Sequence, residues 1–171
     1  MKRREALKVT AGAALLPSLL SAQAAQAKGW KPLLFTPQQD AAVVALTEII
    51  IPATDTPGAR QAGVNRYIDL LLHDGPAAEG ERFLAGLQWL DEYAVSKSGK
   101  PFVKLTTAEQ AAILTELDAA GTPELEKGHQ FFRMAKNLTS RIYYSTAIGF
   151  QELNKGGRVP KKVGCDHSSH A

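Results

Sequence analysis

From Thr36 to Phe150 apolar residues recur every three or four positions, and each such stretch stops at a proline or a glycine. That period belongs to helices, and the punctuation limits their length. Thr36-Pro37-Gln38-Gln39 opens the first stretch: a threonine that can cap, a proline suited to the first helical position, and a glutamine three residues after the cap. Val43, Leu46, Ile49 and Ile50 follow at helical spacing, and Pro52 ends the run because the residue before a proline is excluded from helical geometry. A second helix is predicted with Val64, Tyr67, Ile68, Leu71 and Leu72 on one face, broken at Asp74-Gly75-Pro76. A third runs from about Glu79 to Ser96, with Phe83, Leu87, Leu90 and Ala94 as its stripe. Thr106-Thr107-Ala108-Glu109 is a second capping box, before a helix that buries Ile113, Leu114 and Leu117. Thr122-Pro123 opens the last long helix, which carries Phe131, Phe132, Met134, Leu138, Ile142 and Tyr143. No alternating Val/Ile/Thr run and no Asn-Gly or Asp-Gly hairpin is present, and nothing recurs at a fixed period. The expectation is an all-α fold, a single small bundle of five or six helices over residues 28–155. An irregular tail follows at 156–171, poor in residues it could bury against itself.

Residues 1–27 read differently. Lys2, Arg3, Arg4 and Lys8 stand before a mildly apolar stretch, Val9 to Leu20, and small residues at Ala25 and Ala27 close the segment. This is the layout of an export signal, with cleavage expected after Ala27 and Ala24 or Ala25 as alternatives. The pair Arg3-Arg4, with Leu7 and Lys8 behind it, resembles the twin-arginine signal, although Ala6 stands where that motif usually has Phe. The twin-arginine route carries proteins already folded, often with a partner attached; the rival reading is a general secretory signal with a chance arginine pair. The expected location is therefore the periplasm, with the translocase as one partner. The four basic residues and one acid of this segment account for the net charge of +3, since residues 28–171 hold 16 of each sign. The basic pI thus says nothing of nucleic acid. Within the remainder, charge is uneven. Residues 28–126 hold 8 basic and 14 acidic residues, and residues 127–171 hold 8 and 2. Either the last helix lies on an acidic remainder, or a basic surface is kept for an acidic partner.

Chemistry is sparse. No Gly-rich phosphate loop, nucleophile elbow, H-E-x-x-H or C-x-x-C-H occurs. His73 beside Asp74 and His129 in the last helix lack a second polar group at working spacing, and Asp91-Glu92 and Glu79/Glu81 are neighbours that face different ways on a helix. One cysteine excludes an internal disulfide framework. Cys165-x-His167-x-x-His170 offers a thiolate and two imidazoles, the ligand types of copper and zinc, on a terminal tail, where a site is rarely preorganised. No catalytic, cofactor or metal residue is assigned within the chain.

The stretch Leu46-Thr-Glu-Ile-Ile-Ile-Pro-Ala-Thr-Asp-Thr-Pro-Gly-Ala-Arg-Gln-Ala-Gly-Val-Asn-Arg-Tyr-Ile-Asp-Leu-Leu-Leu72 resembles the signature of the gluconate 2-dehydrogenase subunit 3 family. The ending is similar as well: Tyr143-Tyr-Ser-Thr-Ala-Ile-Gly149, Glu152-Leu153, Val159-Pro160 and Gly164-Cys165. The resemblance covers about residues 36–166. It implies a small subunit, without a cofactor of its own, of a periplasmic dehydrogenase acting on sugars or sugar acids. It further implies a large FAD-binding subunit of the glucose–methanol–choline class, and a cytochrome c subunit that frequently takes the electrons. The small subunit would assist the folding and twin-arginine export of its partner, and the complex would lie at most peripheral to the inner membrane. The substrate would belong to the FAD subunit.

The partner face is expected at the loop after the first helix, which is long for a compact domain and rich in proline and glycine. The residues assigned to it are Pro52, Asp55, Thr56, Pro57 and Gly58, with Tyr143, Tyr144, Gly164 and Cys165. The rival for the loop is a plain helix–helix connection. Two rival functions stay open beside the accessory subunit: a stand-alone periplasmic metal or redox protein using the Cys165/His167/His170 tail, and a helical binding protein for a small ligand.

Overall fold

The computed structural model describes residues 30–119 and 121–155. Those from Pro32 onward form one unit built on α-helices: α1 (Pro37–Ile50), α2 (Val64–Asp74), α3 (Ala77–Ser98), α4 (Thr107–Asp118), α5 (Glu126–Ser145) and α6 (Ala147–Leu153). No strand occurs among the described residues. The all-α expectation is met.

The two capping boxes form as the residue types require. Thr36 accepts from the Gln39 amide while Gln39 accepts from the Thr36 amide at 2.8 Å. Thr106 and Glu109 repeat the exchange at the head of α4. The carboxyl of Glu109 is held below its ordinary range, chiefly by the Thr106 backbone N–H. At the head of α2 the chain instead uses Gly63, whose φ of 68° lies in the left-handed region that a side chain disfavours.

The core is drawn from every long helix. Val43 and Leu46 of α1, Val64, Ile68 and Leu72 of α2, and Phe83, Leu87, Leu90 and Ala94 of α3 are buried, as are Ile113, Leu114 and Leu117 of α4. α5 crosses the bundle and contributes Phe131, Phe132, Ala135, Leu138, Ile142 and Tyr143. Phe83 meets Phe35 and Phe131 at ring separations of 5.7 and 5.3 Å. Together these make one contiguous apolar interior.

Several expectations need correcting. Tyr67 is not on the buried face of α2: it is 53% exposed, and Asn65 and Asp69 take inward positions instead. Ile49, Ile50 and Met134 are only half-buried. α3 begins two residues before the expected Glu79 and ends two after Ser96, taking in Ala77, Ala78, Lys97 and Ser98. The Thr122-Pro123 start is a separate one-turn 3-10 helix, Pro123–Leu125, with α5 proper beginning at Glu126. The last long helix also ends at Ser145, where Thr146 turns outward to extended geometry and caps α6 by accepting from the Gly149 amide at 3.1 Å.

Asp69 explains how the chain before α1 is held. Its carboxylate, 1% exposed, accepts from the amides of Leu33 (2.7 Å), Leu34 (3.0 Å) and Phe35 (2.8 Å). Three backbone donors with no helical partner are satisfied by one buried side chain. This seats Phe35 in the core.

Candidate functional site

The loop that follows α1 is ordered by that helix. Glu48, in the last turn of α1, accepts from the Ala53 amide at 3.0 Å with one oxygen and from the Arg60 amide at 2.9 Å with the other. The Ala59 amide donates to the Ile51 carbonyl at 2.9 Å, closing the base. Gly58 is buried beneath the loop, where a Cβ would lie 2.5 Å from the Ala53 nitrogen and 2.7 Å from a Glu48 oxygen. No residue but glycine fits there. At the tip, Thr54 donates to the Asp55 carboxylate at 2.9 Å and its amide to the Thr56 carbonyl at 3.0 Å. The Thr54 hydroxyl holds the exposed Asp55 carboxyl below its ordinary value.

α5 braces the loop from the other side. Tyr143, 2% exposed, donates its phenol to the Pro57 carbonyl at 2.6 Å. Burial, with the Glu152 carboxylate nearby, pushes that phenol above its ordinary range, so it stays a donor throughout the neutral region. Tyr144 packs edge-on to Tyr143 with ring centroids 5.2 Å apart, and is itself 46% exposed. Between loop and helices lies a hollow of about 380 Å³ lined by Ile51, Thr56, Tyr143, Tyr144, Glu152 and Leu153. Leu153 is 53% exposed, and Phe150, one turn earlier on α6, is 47% exposed.

The residues assigned from sequence therefore divide by role. Pro52, Asp55 and Tyr144 face outward, Thr56 and Pro57 are half-buried, and Gly58 and Tyr143 build the loop from within. The structure brings the loop and the two tyrosines into one face. Gly164 and Cys165, the His167/His170 cluster, and the signal residues Arg3, Arg4, Leu7, Lys8, Ala25 and Ala27 lie outside the described residues. Sequence reasoning missed Glu48, which ties the loop down, and Leu153 and Phe150, which extend its apolar surround. The signal for Glu48 was an acid placed one turn before a helix-ending proline.

Other candidate groups have structural partners. His73 pairs with the adjacent Asp74 at 2.8 Å on the surface, and His129 donates to the Leu117 carbonyl at 3.0 Å. Asp91 accepts from the Phe102 amide at 2.9 Å. Among the described residues no group of three or more His, Cys, Asp or Glu side chains is arranged to hold a metal ion. No helix among them is long and apolar enough to cross a membrane.

Comparison with known proteins supplies the identity of this scaffold. No curated protein and no solved structure matches the chain. A family model, described as gluconate 2-dehydrogenase subunit 3, matches residues 37–157, from the first residue of α1 to just past the end of α6. The match takes in the loop, its Glu48 anchor, both tyrosines and the whole helical unit. This chain belongs to the gluconate 2-dehydrogenase subunit 3 family.

Proposed function

We propose that the chain is a non-catalytic small subunit of a periplasmic, FAD-dependent dehydrogenase of sugars or sugar acids. It binds a large flavoprotein of the glucose–methanol–choline class and assists its folding and export. The observation that carries this reading is the preordered face at the end of the bundle. A loop fixed by Glu48, Gly58 and Tyr143 stands beside the exposed apolar side chains of Tyr144, Phe150 and Leu153. Exposed apolar groups next to a rigid loop are what a docking surface needs, since little conformational entropy is then lost on binding. Membership of a dehydrogenase-subunit family supports a larger dehydrogenase subunit as the partner.

In this reading the chain holds no cofactor. FAD resides in the large subunit, a cytochrome c subunit accepts the electrons, and the complex is peripheral to the inner membrane. The segment around Arg3 and Arg4 carries both chains through the twin-arginine translocase. Arginine forks are recognised differently from lysine point charges, so Arg3→Lys combined with Arg4→Lys should hold both proteins in the cytoplasm. Fractionation followed by immunodetection of each subunit reads the outcome. Normal amounts of flavoprotein in the periplasm of the double variant would refute the shared signal.

A further inference from the structure

The second feature of the surface lies away from the loop, where α3 and α5 run side by side. On α5 the residues Lys127, Gln130, Met134, Asn137, Arg141 and Tyr144 succeed one another at alternate spacings of three and four, the spacing of a coiled-coil seam. On α3, Arg82, Ala85, Trp89 and Glu92 keep the same spacing. The α3 stripe and the α5 stripe from Lys127 to Arg141 border a groove of about 750 Å³. Its depth has a cause. A Cβ on Gly86 would sit 2.1 Å from the Phe131 ring, and one on Gly128 would sit 2.2 Å from Trp89. Glycine at both places lets these rings sink between the helices and form an apolar floor with Met134 and Leu138. From Lys127 to Arg141 the groove extends about 21 Å at the helical rise, the length of a helix of about four turns.

Charge says what fits it. Arg82, Lys127, Arg133 and Arg141 line the groove, and none of them forms an ion pair among the described residues. Their only acidic companions in the groove are Glu79 and Glu92, and Glu92 already accepts from Gln88 at 2.8 Å. Elsewhere on the same helices lysines are matched: Lys97 with Glu116 at 3.0 Å, and Lys136 with Asp118. Of the basic residues after 126 that are described, Lys127, Arg133 and Arg141 thus stand on the groove without an ion pair, while Lys136 and Lys155 are matched by Asp118 and Glu152. Arg141, at one end of the groove, and Tyr144, in the loop hollow, are one turn apart on α5.

We infer that this groove receives an acidic amphipathic helix of the large dehydrogenase subunit, laid along α3 and α5 as the third member of a helical seam. The apolar side of that helix covers Trp89 and Met134, and its carboxylates meet Arg82, Arg133 and Arg141. This rests on the proposed function and specifies the chemistry of the partner segment.

The test uses the full chain co-expressed with its flavoprotein. Charge reversal by Arg133→Glu with Arg141→Glu alters exposed side chains without internal partners, and circular dichroism should show unchanged helicity. Affinity for the flavoprotein should fall about tenfold or more and lose most of its dependence on NaCl. Arg133→Lys with Arg141→Lys should retain most of the wild-type affinity. Leu153→Asp, in the loop hollow, serves as the comparison. If Leu153→Asp weakens the complex while the charge reversal leaves affinity within about twofold, the groove inference is overturned and the proposed function stands. If the wild-type chain retains no flavoprotein, both fall together. Binding of the free chain to anionic phospholipid vesicles, abolished by the same charge reversal and undiminished by the flavoprotein, would assign the cations to a membrane and overturn the inference.

Discussion

The hydroxyl of Tyr143 and the carbonyl of Pro57, 86 residues apart in sequence, are joined by a 2.6 Å hydrogen bond that fixes the loop after α1 to the end of α5. Tyr143→Phe keeps the ring in the core and removes only that bond. Stability should fall by about 1 kcal/mol, the usual net worth of one hydrogen bond. Protease cleavage within residues 52–58 should rise by more than the global change explains. Chemical denaturation and limited proteolysis check the two parts. Equal cleavage rates in both proteins would show that Glu48 alone holds the loop.

Gly58 is the second support of the same loop. Its Cβ position is filled by the Ala53 backbone and the Glu48 carboxylate. Gly58→Ala must displace one of them, and backbone cannot yield cheaply. The expected loss is about 2 kcal/mol, read as a lower denaturation midpoint. Wild-type stability in this variant would contradict the close packing.

Asp69 is expected to be the most sensitive polar residue of the bundle. Asp69→Ala leaves three amides, those of Leu33, Leu34 and Phe35, without their acceptor. A loss of about 3 kcal/mol follows from removing the shared acceptor of one buried and two part-buried donors. Asp69→Asn, which keeps one acceptor oxygen, should lose less. Urea unfolding of the two variants gives the comparison.

Asp40 gives a signed pH dependence. Burial raises its carboxyl above the ordinary 3.8, against the opposing hydrogen bond donated by Asn65 at 2.7 Å. A carboxyl with a raised folded pKa binds its proton more tightly folded than unfolded. Its contribution is therefore full below 3.8 and is lost as pH rises through the native value. Asp40→Asn still offers Asn65 an oxygen and removes that loss. At neutral pH the variant should be as stable as wild type or more so, and the difference between them should shrink as the solution is acidified toward 3.8. A variant that is less stable at neutral pH and no different in acid would contradict the sign.

Much of this was legible in the sequence because it depends on local chemistry. The capping boxes at Thr36 and Thr106, the stop at Pro52 and the apolar stripes of α3 and α4 all follow from neighbours within a turn. What escaped is long-range. Asp69 reads as an ordinary polar residue on α2, and only the return of residues 33–35 makes it a buried acceptor. Tyr67 and Asp69 exchange the faces that hydropathy assigns them for that reason. The break at Thr146 lacks a proline or glycine, so the sequence does not mark where the last long helix ends and α6 begins. For the candidate face, the loop and tyrosines were legible as a pattern. Their division into supports and outward-facing groups needed the third dimension. The paired stripes of α3 and α5 were hidden because only their juxtaposition makes a groove.

The proposed docking of the loop face on a flavoprotein dehydrogenase subunit is read by hydrogen–deuterium exchange of the full chain, alone and in complex with the co-expressed flavoprotein. Amides of residues 52–58 and 144–153 should become slower to exchange in the complex, by about tenfold or more, while those of α4 stay unchanged. Unaltered exchange at both segments in a stable complex would contradict the account.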